Sequence, residues 1–171
     1  MSGLVGRGLN DMERIGVADT MFARIDMGAV AERKLATLDG HGDRFQVLRR
    51  TVPGMKDLAV AVRRLVDEDG CSIAIACGMP GPAEIDQLCA HEASRGIMLV
   101  QVLTGVHVLE VFVHATEEAD EDRFLELCRR RVEGHAQNAY WLLYAPDELR
   151  ARAGQGVRQG APDAGPLPSA T

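Results

Sequence analysis

The segment Cys71–Ser94, CSIAIACGMPGPAEIDQLCAHEAS, constrains the fold more than any other part of the chain. Cys71–Cys77 is an apolar run without alternation, which is typical of a strand buried on both faces of a parallel sheet. The following Gly78–Pro82, GMPGP, can continue neither a strand nor a helix. Helical spacing begins at Glu84, and the side predicted to be buried consists of Ile85, Leu88, Cys89, Glu92, Gly96, Leu99 and Leu103. The segment therefore predicts a strand, a loop and a helix, with the loop where α/β proteins bind ligands.

The same alternation of strand and helix occurs four times along the 171-residue chain. We predict strands at Arg14–Asp19, Phe45–Thr51, Cys71–Cys77 and Val106–His114. The predicted helices are Ile25–Leu38, one from near Asp57, one from Glu84, Asp120–Tyr144 and a short turn at Glu148–Ala153. Right-handed crossovers convert this order into an α/β three-layer sandwich with a four-stranded parallel sheet. The flavodoxin-like strand order 2-1-3-4 would place the loop of Phe22 and the Gly78–Pro82 loop at one crevice.

Composition divides the chain into three segments and limits its partners. We expect a disordered extension at residues 1–12, a single α/β domain at 13–153 and a mobile Gly/Pro-rich tail at 154–171. The net charge of −6 argues against a nucleic-acid partner. No apolar stretch is long enough to span a bilayer, and the N-terminus has no signal-peptide core. The four cysteines form no CxxC pair, so we interpret them as reduced residues of a cytoplasmic protein.

Two predicted strands are followed directly by loops that contain Pro-Gly. These loops are Val52-Pro53-Gly54 and Gly78-Met79-Pro80-Gly81. Their glycines allow the backbone to approach a ligand closely, and the helices that follow favour negatively polarised groups. Neither loop is a phosphate-binding motif, because GxxxxGK[ST] and GxGxxG are absent. Together with Phe22 after the first strand, the loops favour a ligand site at this edge of a small sheet, which we also expect to form an oligomer.

Several side chains near these loops could act on a ligand, and each has a second interpretation. Phe22 could stack on a planar ring or fold back onto the helix that it precedes. Lys56 and Asp57 could hydrogen-bond a polyol or a heterocycle, or could be surface charges at a helix start. The alternatives remain open at this point.

His91, Glu92 and His114 are the ionisable side chains that could take part in chemistry, and their alternatives stay open. His91 lies on a polar helix face and could instead be a surface or interface histidine. Glu92 is predicted to point inward or into a packed interface, and His114 ends the fourth strand at the ligand edge. His135 is predicted to be a packing residue. The histidines lack the HxxxH and HxH spacings of protein zinc sites, so we predict no such site.

Six segments resemble the archaeal-type riboflavin synthases, which are relatives of lumazine synthase. They are GVADTMFARIDM, RRTVPGMKDLAVA, ACGMPGPAEIDQLCAHEAS, LEVFVHATEEA, RRRVEGHAQNAYWLL and AGQGVRQGAPDAGP. They occur in order from about Arg14 to Pro166, and TVPG-x-KDL with GMPG…CAHEAS is a specific combination. The resemblance implies a lumazine-synthase-type fold and a homopentamer with active sites between neighbouring subunits. It also argues for an ordered role of residues 154–166, whereas composition alone indicates mobility.

The implied reaction is a dismutation of two 6,7-dimethyl-8-ribityllumazine molecules into riboflavin and 5-amino-6-(D-ribitylamino)uracil. No redox cofactor takes part. Some family members are linked to Mg2+ or Mn2+, but the sequence shows no protein-only cage for such an ion. On this resemblance, His91, Glu92 and His114 are expected to serve proton transfer or to position the second substrate molecule. The implied substrate-binding set is Thr20, Phe22, Val52, Pro53, Gly54, Lys56, Asp57, Met79, Pro80 and Asp86.

Two alternative functions use the same crevice. Lumazine synthases typically follow the third strand with a Gly-x-Thr-x-His-Phe-like loop, whose histidine acts in catalysis. The corresponding loop here is GMPGPAE, which has neither that histidine nor the threonine. This difference favours riboflavin synthase over lumazine synthase. The other alternative is a non-catalytic flavin-binding oligomer.

Overall fold

The computed structural model describes residues 12–158 and 161–168. Its centre is a four-stranded, all-parallel sheet with the strand order β2-β1-β3-β4. The strands are β1 (Glu13–Thr20), β2 (Phe45–Val52), β3 (Ile73–Gly78) and β4 (Val108–Phe112). The predicted sheet and its order 2-1-3-4 are therefore confirmed. Apart from Met12, the extension predicted to be disordered lies outside the described residues.

Helices cover both faces of the sheet. They are α1 (Met27–Ala36), α2 (Leu58–Asp67), α3 (Glu84–Thr104), α4 (Glu121–Tyr144) and α5 (Pro146–Ala151), with a 3-10 turn at Met55–Asp57 before α2. The helices α1 and α4 share one hydrophobic core with the sheet, and α2 and α3 share the other. The predicted three-layer sandwich is confirmed.

The two inner strands explain why the apolar runs lack alternation. Every residue of β3 is buried, as are the last six residues of β1. Alternate residues enter opposite cores, with Ile75 on the α1/α4 side and Ala74 on the α2/α3 side. Because all four strands are parallel, their carboxyl ends and the loops after them lie at the same edge of the sheet.

The packing of α3 differs from the prediction. The buried side is Ala90, Ala93, Ile97 and Val100, whereas the aliphatic side chains that were expected to be buried are exposed. The small residues allow a close approach to α2: a Cβ added at Gly96 would lie 3.0 Å from the Ala59 Cβ. The outer apolar face of α3 comprises Ile85, Leu88, Leu99, Val102 and Leu103. This face is uncovered in a single subunit.

The four cysteines are free thiols. Cys71, Cys77 and Cys128 are buried, and burial raises the pKa of each, to about 12 for Cys71 and about 11 for Cys128. Cys89 is the partly exposed member. Within the described part of the chain, no helix is both long and apolar enough to cross a membrane.

Candidate active site

A cavity of about 280 Å³ opens at the carboxyl edge of the sheet, on the α2/α3 face. It is bounded by the loops after β1, β2 and β3 and by the first turns of α3. Six of the predicted substrate-binding residues line it, namely Phe22, Gly54, Lys56, Asp57, Pro80 and Asp86. Met55, Gly81 and Cys89 complete the lining. The two Pro-Gly loops, which follow the strands on either side of β1, therefore line one cavity together with the Phe22 loop that follows β1.

Phe22 stands at the mouth of this cavity. Its side chain is 61% exposed, so it is not folded back onto α1. The loop that carries it is anchored at its base, where the Met21 N–H donates to the Val52 carbonyl over 2.9 Å. A large, exposed aromatic ring held at a cavity mouth is suited to stacking on a flat heterocycle.

The loop after β2 is braced by its own residues. The Asp57 carboxylate accepts a hydrogen bond from the Gly54 N–H over 3.2 Å, which closes the 3-10 turn. Lys56 lies between them on the turn and is exposed. The turn presents an ammonium and a carboxylate side by side, a pairing that can hold the hydroxyl groups of a polyol.

Four other predicted binding residues do not line the cavity. Val52 and Pro53 precede Gly54 at its edge. Thr20 is buried, and no described residue hydrogen-bonds to its hydroxyl. Met79 is 4% exposed and lines a second cavity, of about 390 Å³, on the α1/α4 face. The roles of these four residues stay predictions.

The three candidate proton-transfer residues also lie outside this cavity. His91 and Glu92 are exposed on α3, where a Glu92 oxygen lies 3.6 Å from the Arg95 guanidinium. Glu92 follows Leu88 on the outer apolar face, so it does not enter the core. His114 follows β4 and packs against α3, with Nδ1 2.6 Å from the Gln87 amide oxygen. Within a single subunit, these three side chains therefore do not share the cavity with Phe22.

One polar cluster at the same edge was not found from the sequence. Asp19 is buried and accepts hydrogen bonds from Arg49, over 2.5 and 3.1 Å, and from the Thr51 hydroxyl over 2.7 Å. Arg49 also donates to Asp26 over 2.6 Å. Hydrogen bonding to Asp19 raises the pKa of Arg49. The hydrogen bond from the Ala29 N–H lowers the pKa of Asp26, and the hydrogen bond from Arg49 lowers it further. A lone aspartate ending an apolar strand was the available signal, because a buried charge requires a partner.

The second cavity has an acidic rim. Arg24 and Glu121 form an ion pair of 2.5 Å across it, and Glu118 and Asp122 lie nearby in the lining. No group of three or more His, Cys, Asp or Glu side chains among residues 12–158 and 161–168 could hold a metal ion. The described part of a single chain thus provides no cage of three such ligands for Mg2+ or Mn2+, and no chemical step is assigned to a metal.

Comparison with known proteins agrees with the fold. A family model described as 6,7-dimethyl-8-ribityllumazine synthase matches residues 12–143. The chain is 49% identical over 156 residues to a riboflavin synthase of Methanothermobacter thermautotrophicus, covering 91% of this chain and 100% of that protein. It is 40% identical over 154 residues to one of Archaeoglobus fulgidus and 43% identical over 155 residues to one of Aeropyrum pernix. These matches cover 90% of this chain in both cases, and 98% and 97% of the two relatives.

The resemblance identified in the sequence is thereby confirmed over most of the chain. The family model accounts for the sheet, all four long helices and the cavity loops, and the archaeal relatives extend the match into the tail. The chain belongs to the 6,7-dimethyl-8-ribityllumazine synthase family, in which it groups with the archaeal riboflavin synthases.

Proposed function

We propose that this protein is a riboflavin synthase that dismutates two molecules of 6,7-dimethyl-8-ribityllumazine. One molecule transfers a four-carbon unit to the other, giving riboflavin and 5-amino-6-(D-ribitylamino)uracil, so the atoms of two substrates are shared between two products. The observation that carries the proposal is the cavity between Phe22 and the two Pro-Gly loops, in a chain closely similar to archaeal riboflavin synthases. The GMPGPAE loop has no histidine, which disfavours lumazine synthase, although the family model bears that name.

The cavity supports an assignment of parts to one substrate molecule. Phe22 would stack on the ring system, and Pro80 would border it. Lys56, Asp57 and the Val52–Gly54 loop would hold the ribityl chain. The volume of about 280 Å³ is at the low end for small-molecule sites, which commonly enclose roughly 300–1,000 Å³. In this proposal one subunit holds one lumazine in the cavity, and a neighbouring subunit covers the second.

A neighbouring subunit could enclose the second lumazine molecule. We propose a homopentamer whose active sites lie between adjacent subunits. Two observations support contact between copies: the exposed outer apolar face of α3, and the position of His91, Glu92 and His114 outside the cavity of their own chain. In this arrangement those residues would act at a neighbour's site or position the second substrate.

The chemistry needs little beyond positioning and proton transfer. The C7 methyl group of the substrate is acidic because its anion is delocalised through the ring system. Holding two flat molecules face to face can lower the barrier by about 7–11 kcal/mol in favourable cases. Proton-transfer groups contribute a further factor of roughly 100 to 10,000. No redox cofactor is part of this proposal, and the buried, unpaired cysteines support a cytoplasmic location.

One assay separates the candidate functions. The purified protein is given 6,7-dimethyl-8-ribityllumazine alone, and riboflavin fluorescence and the diaminouracil are measured. Equimolar formation of both products supports the proposal. A requirement for the diaminouracil and a four-carbon phosphate would identify a lumazine synthase instead, and tight binding without turnover would identify a flavin-binding protein.

Phe22→Ala tests the assigned site. Stacking of a planar base on an aromatic side chain is worth about 1–3 kcal/mol, so kcat/KM should fall by roughly 5- to 150-fold. Met21→Ala is the matched control, because Met21 is 74% exposed in the same loop and does not line the cavity. Equal kinetics for the two variants would remove Phe22 from the site. His91→Ala with full turnover would likewise remove His91.

A further inference from the structure

Gln87 joins the loop that lines the cavity to the histidine that follows β4. Its amide Nε2 lies 2.6 Å from the Gly81 carbonyl oxygen, and its amide Oε1 lies 2.6 Å from His114 Nδ1. The backbone holds His114 in place on both sides, because the Val113 N–H donates to Gly78 and the Ala115 N–H donates to Pro80. Both ends of the Gln87 amide are therefore used, and its two partners belong to neighbouring strand ends.

The chemistry of these partners determines where the proton on His114 lies. A backbone carbonyl can only accept a hydrogen bond, so the amide group of Gln87 must direct its nitrogen towards Gly81. Its oxygen, which can also only accept, then faces His114 Nδ1. At a contact of 2.6 Å this nitrogen must carry the hydrogen. In the neutral imidazole, Nε2 is then the nitrogen with the lone pair, and no other described residue hydrogen-bonds to it.

Charged groups surround this histidine from two further elements. Glu110 in β4 accepts a hydrogen bond from the Ser94 hydroxyl over 2.8 Å and faces α3 on the same side as His114. Glu117 accepts from the His114 backbone N–H over 2.8 Å, and its carboxylate is paired with Arg131 of α4 over 2.6 Å. The carboxylate of Glu117 thus pairs with Arg131 and contacts only the backbone of His114. Gln87 is therefore the group that orients the imidazole ring of His114.

We infer that Gln87 is a positioning residue that holds His114 as the Nδ1–H tautomer, with Nε2 as the proton acceptor, and couples this histidine to the substrate loop through Gly81. The role of Nε2 as the proton acceptor rests on the proposed function, whereas the tautomer of His114 can be tested without it. The inference assigns the base among the candidate histidines and gives a role to a residue that the sequence did not select.

Two substitutions separate the two contacts of Gln87. Gln87→Glu keeps an acceptor for His114 Nδ1 but loses the donor to Gly81, whereas Gln87→Met loses both. Gln101→Met is the matched control: Gln101 also connects α3 to β4, by accepting from the Val108 N–H over 3.0 Å, and it does not contact His114.

The first readout is independent of turnover. Long-range proton–nitrogen NMR correlations of 15N-labelled protein, recorded above the usual histidine titration range, distinguish the two imidazole tautomers. His114→Ala identifies the His114 signal among the five histidines. We expect Nδ1–H in the wild type, in Gln87→Glu and in Gln101→Met, and loss of this tautomer in Gln87→Met. An Nε2–H tautomer in the wild type, or Nδ1–H retained in Gln87→Met, would overturn the inference.

The second readout is the division between kcat and KM. Gln87→Met should lower kcat by about tenfold or more, since a misplaced base forfeits part of its contribution. Gln87→Glu should retain kcat within about threefold and raise KM, because only the tether to Gly81 is lost. An equal loss of kcat in both variants would reduce Gln87 to a structural tether. Absence of any riboflavin synthesis by the wild type would refute the proposed function, while the NMR result would still decide the tautomer.

Discussion

The outer apolar face of α3 makes a quantitative prediction about assembly. Leu99 is 58% exposed in the single subunit. Full burial of a leucine side chain is worth about 1.5–3 kcal/mol, so covering the exposed part of Leu99 contributes about 0.9–1.7 kcal/mol per contact. Leu99→Glu removes this contribution and adds a carboxylate, whose burial costs several kcal/mol. We expect each contact between subunits to weaken by about 3–5 kcal/mol.

A loss of this size changes the association constant by a factor between about one hundred and several thousand. Leu99→Glu should therefore sediment at micromolar concentration as a smaller species than the wild type, while circular dichroism shows the same helix and strand content. Ala36→Glu is the matched control, because it adds the same carboxylate to an exposed helical position on the opposite face of the sheet.

Identical sedimentation of Leu99→Glu and the wild type would show that this face does not join the subunits. Dissociation to the same extent by Ala36→Glu would show that net charge, and not the loss of the outer apolar face, is responsible. In either case the outer apolar face of α3 would not be the contact between copies, and its exposed aliphatic side chains would need another explanation.

Three further substitutions test the interior. Gly28→Ala gains about 1 kcal/mol of helix propensity, but its Cβ would overlap the Arg49 guanidinium. Because overpacking costs about 1–3 kcal/mol, urea denaturation should show a net loss of stability. Combining Gly28→Ala with Arg49→Met should reduce that loss. Glu110→Gln should stabilise the protein by about 0.5–1 kcal/mol at neutral pH in thermal melts. Burial raises the pKa of Glu110, so the stability contributed by its protonated form is present below about pH 4.5 and is lost as the pH rises through the raised pKa. Glutamine is uncharged at every pH and keeps the hydrogen bond from Ser94. Burial lowers the pKa of His135 below 6.5, so stability should fall as the pH falls from 6.5 through the lowered value, and His135→Gln should flatten that part of a melting-temperature profile.

The sheet was predictable because its inner strands carry a strong signal. The unbroken apolar run of β3 indicates a strand that has no solvent-exposed face. The loop GMPGP that follows can continue neither that strand nor a helix, so it marks the end of β3. The same loop, with TVPG, also predicted two walls of the cavity. Their position needed only the rule that parallel strands end at one edge.

The orientation of α3 was not predictable from hydrophobicity. Leu88 and Leu99 are larger and more apolar than Ala90 and Ala93, so a hydrophobic ranking selects the wrong side for the core. The deciding factor is close packing against α2, which requires small residues and leaves the leucines for another surface. Spacing along one chain does not distinguish a core from an interface between copies.

The arrangement of the candidate catalytic groups was only partly predictable. His114 was selected because it ends a strand at the ligand edge, but its partner Gln87 lies 27 residues earlier on a different element. Glutamine has no titratable group, so a search for acids and bases passes over it. The Asp19–Arg49 pair was missed because Arg49 lies in β2, an edge strand in which a charged side chain can also face solvent.

The distribution of the thiols has a practical consequence for following ligand binding. Protonated, enclosed sulfur atoms react slowly with electrophiles, and this describes Cys71, Cys77 and Cys128. Cys89 is partly exposed and lies in the cavity lining. A small alkylating reagent should therefore label one sulfur per chain, and a bound lumazine should shield it. The native cysteine would then serve as a built-in occupancy reporter, read by mass spectrometry without any engineered label.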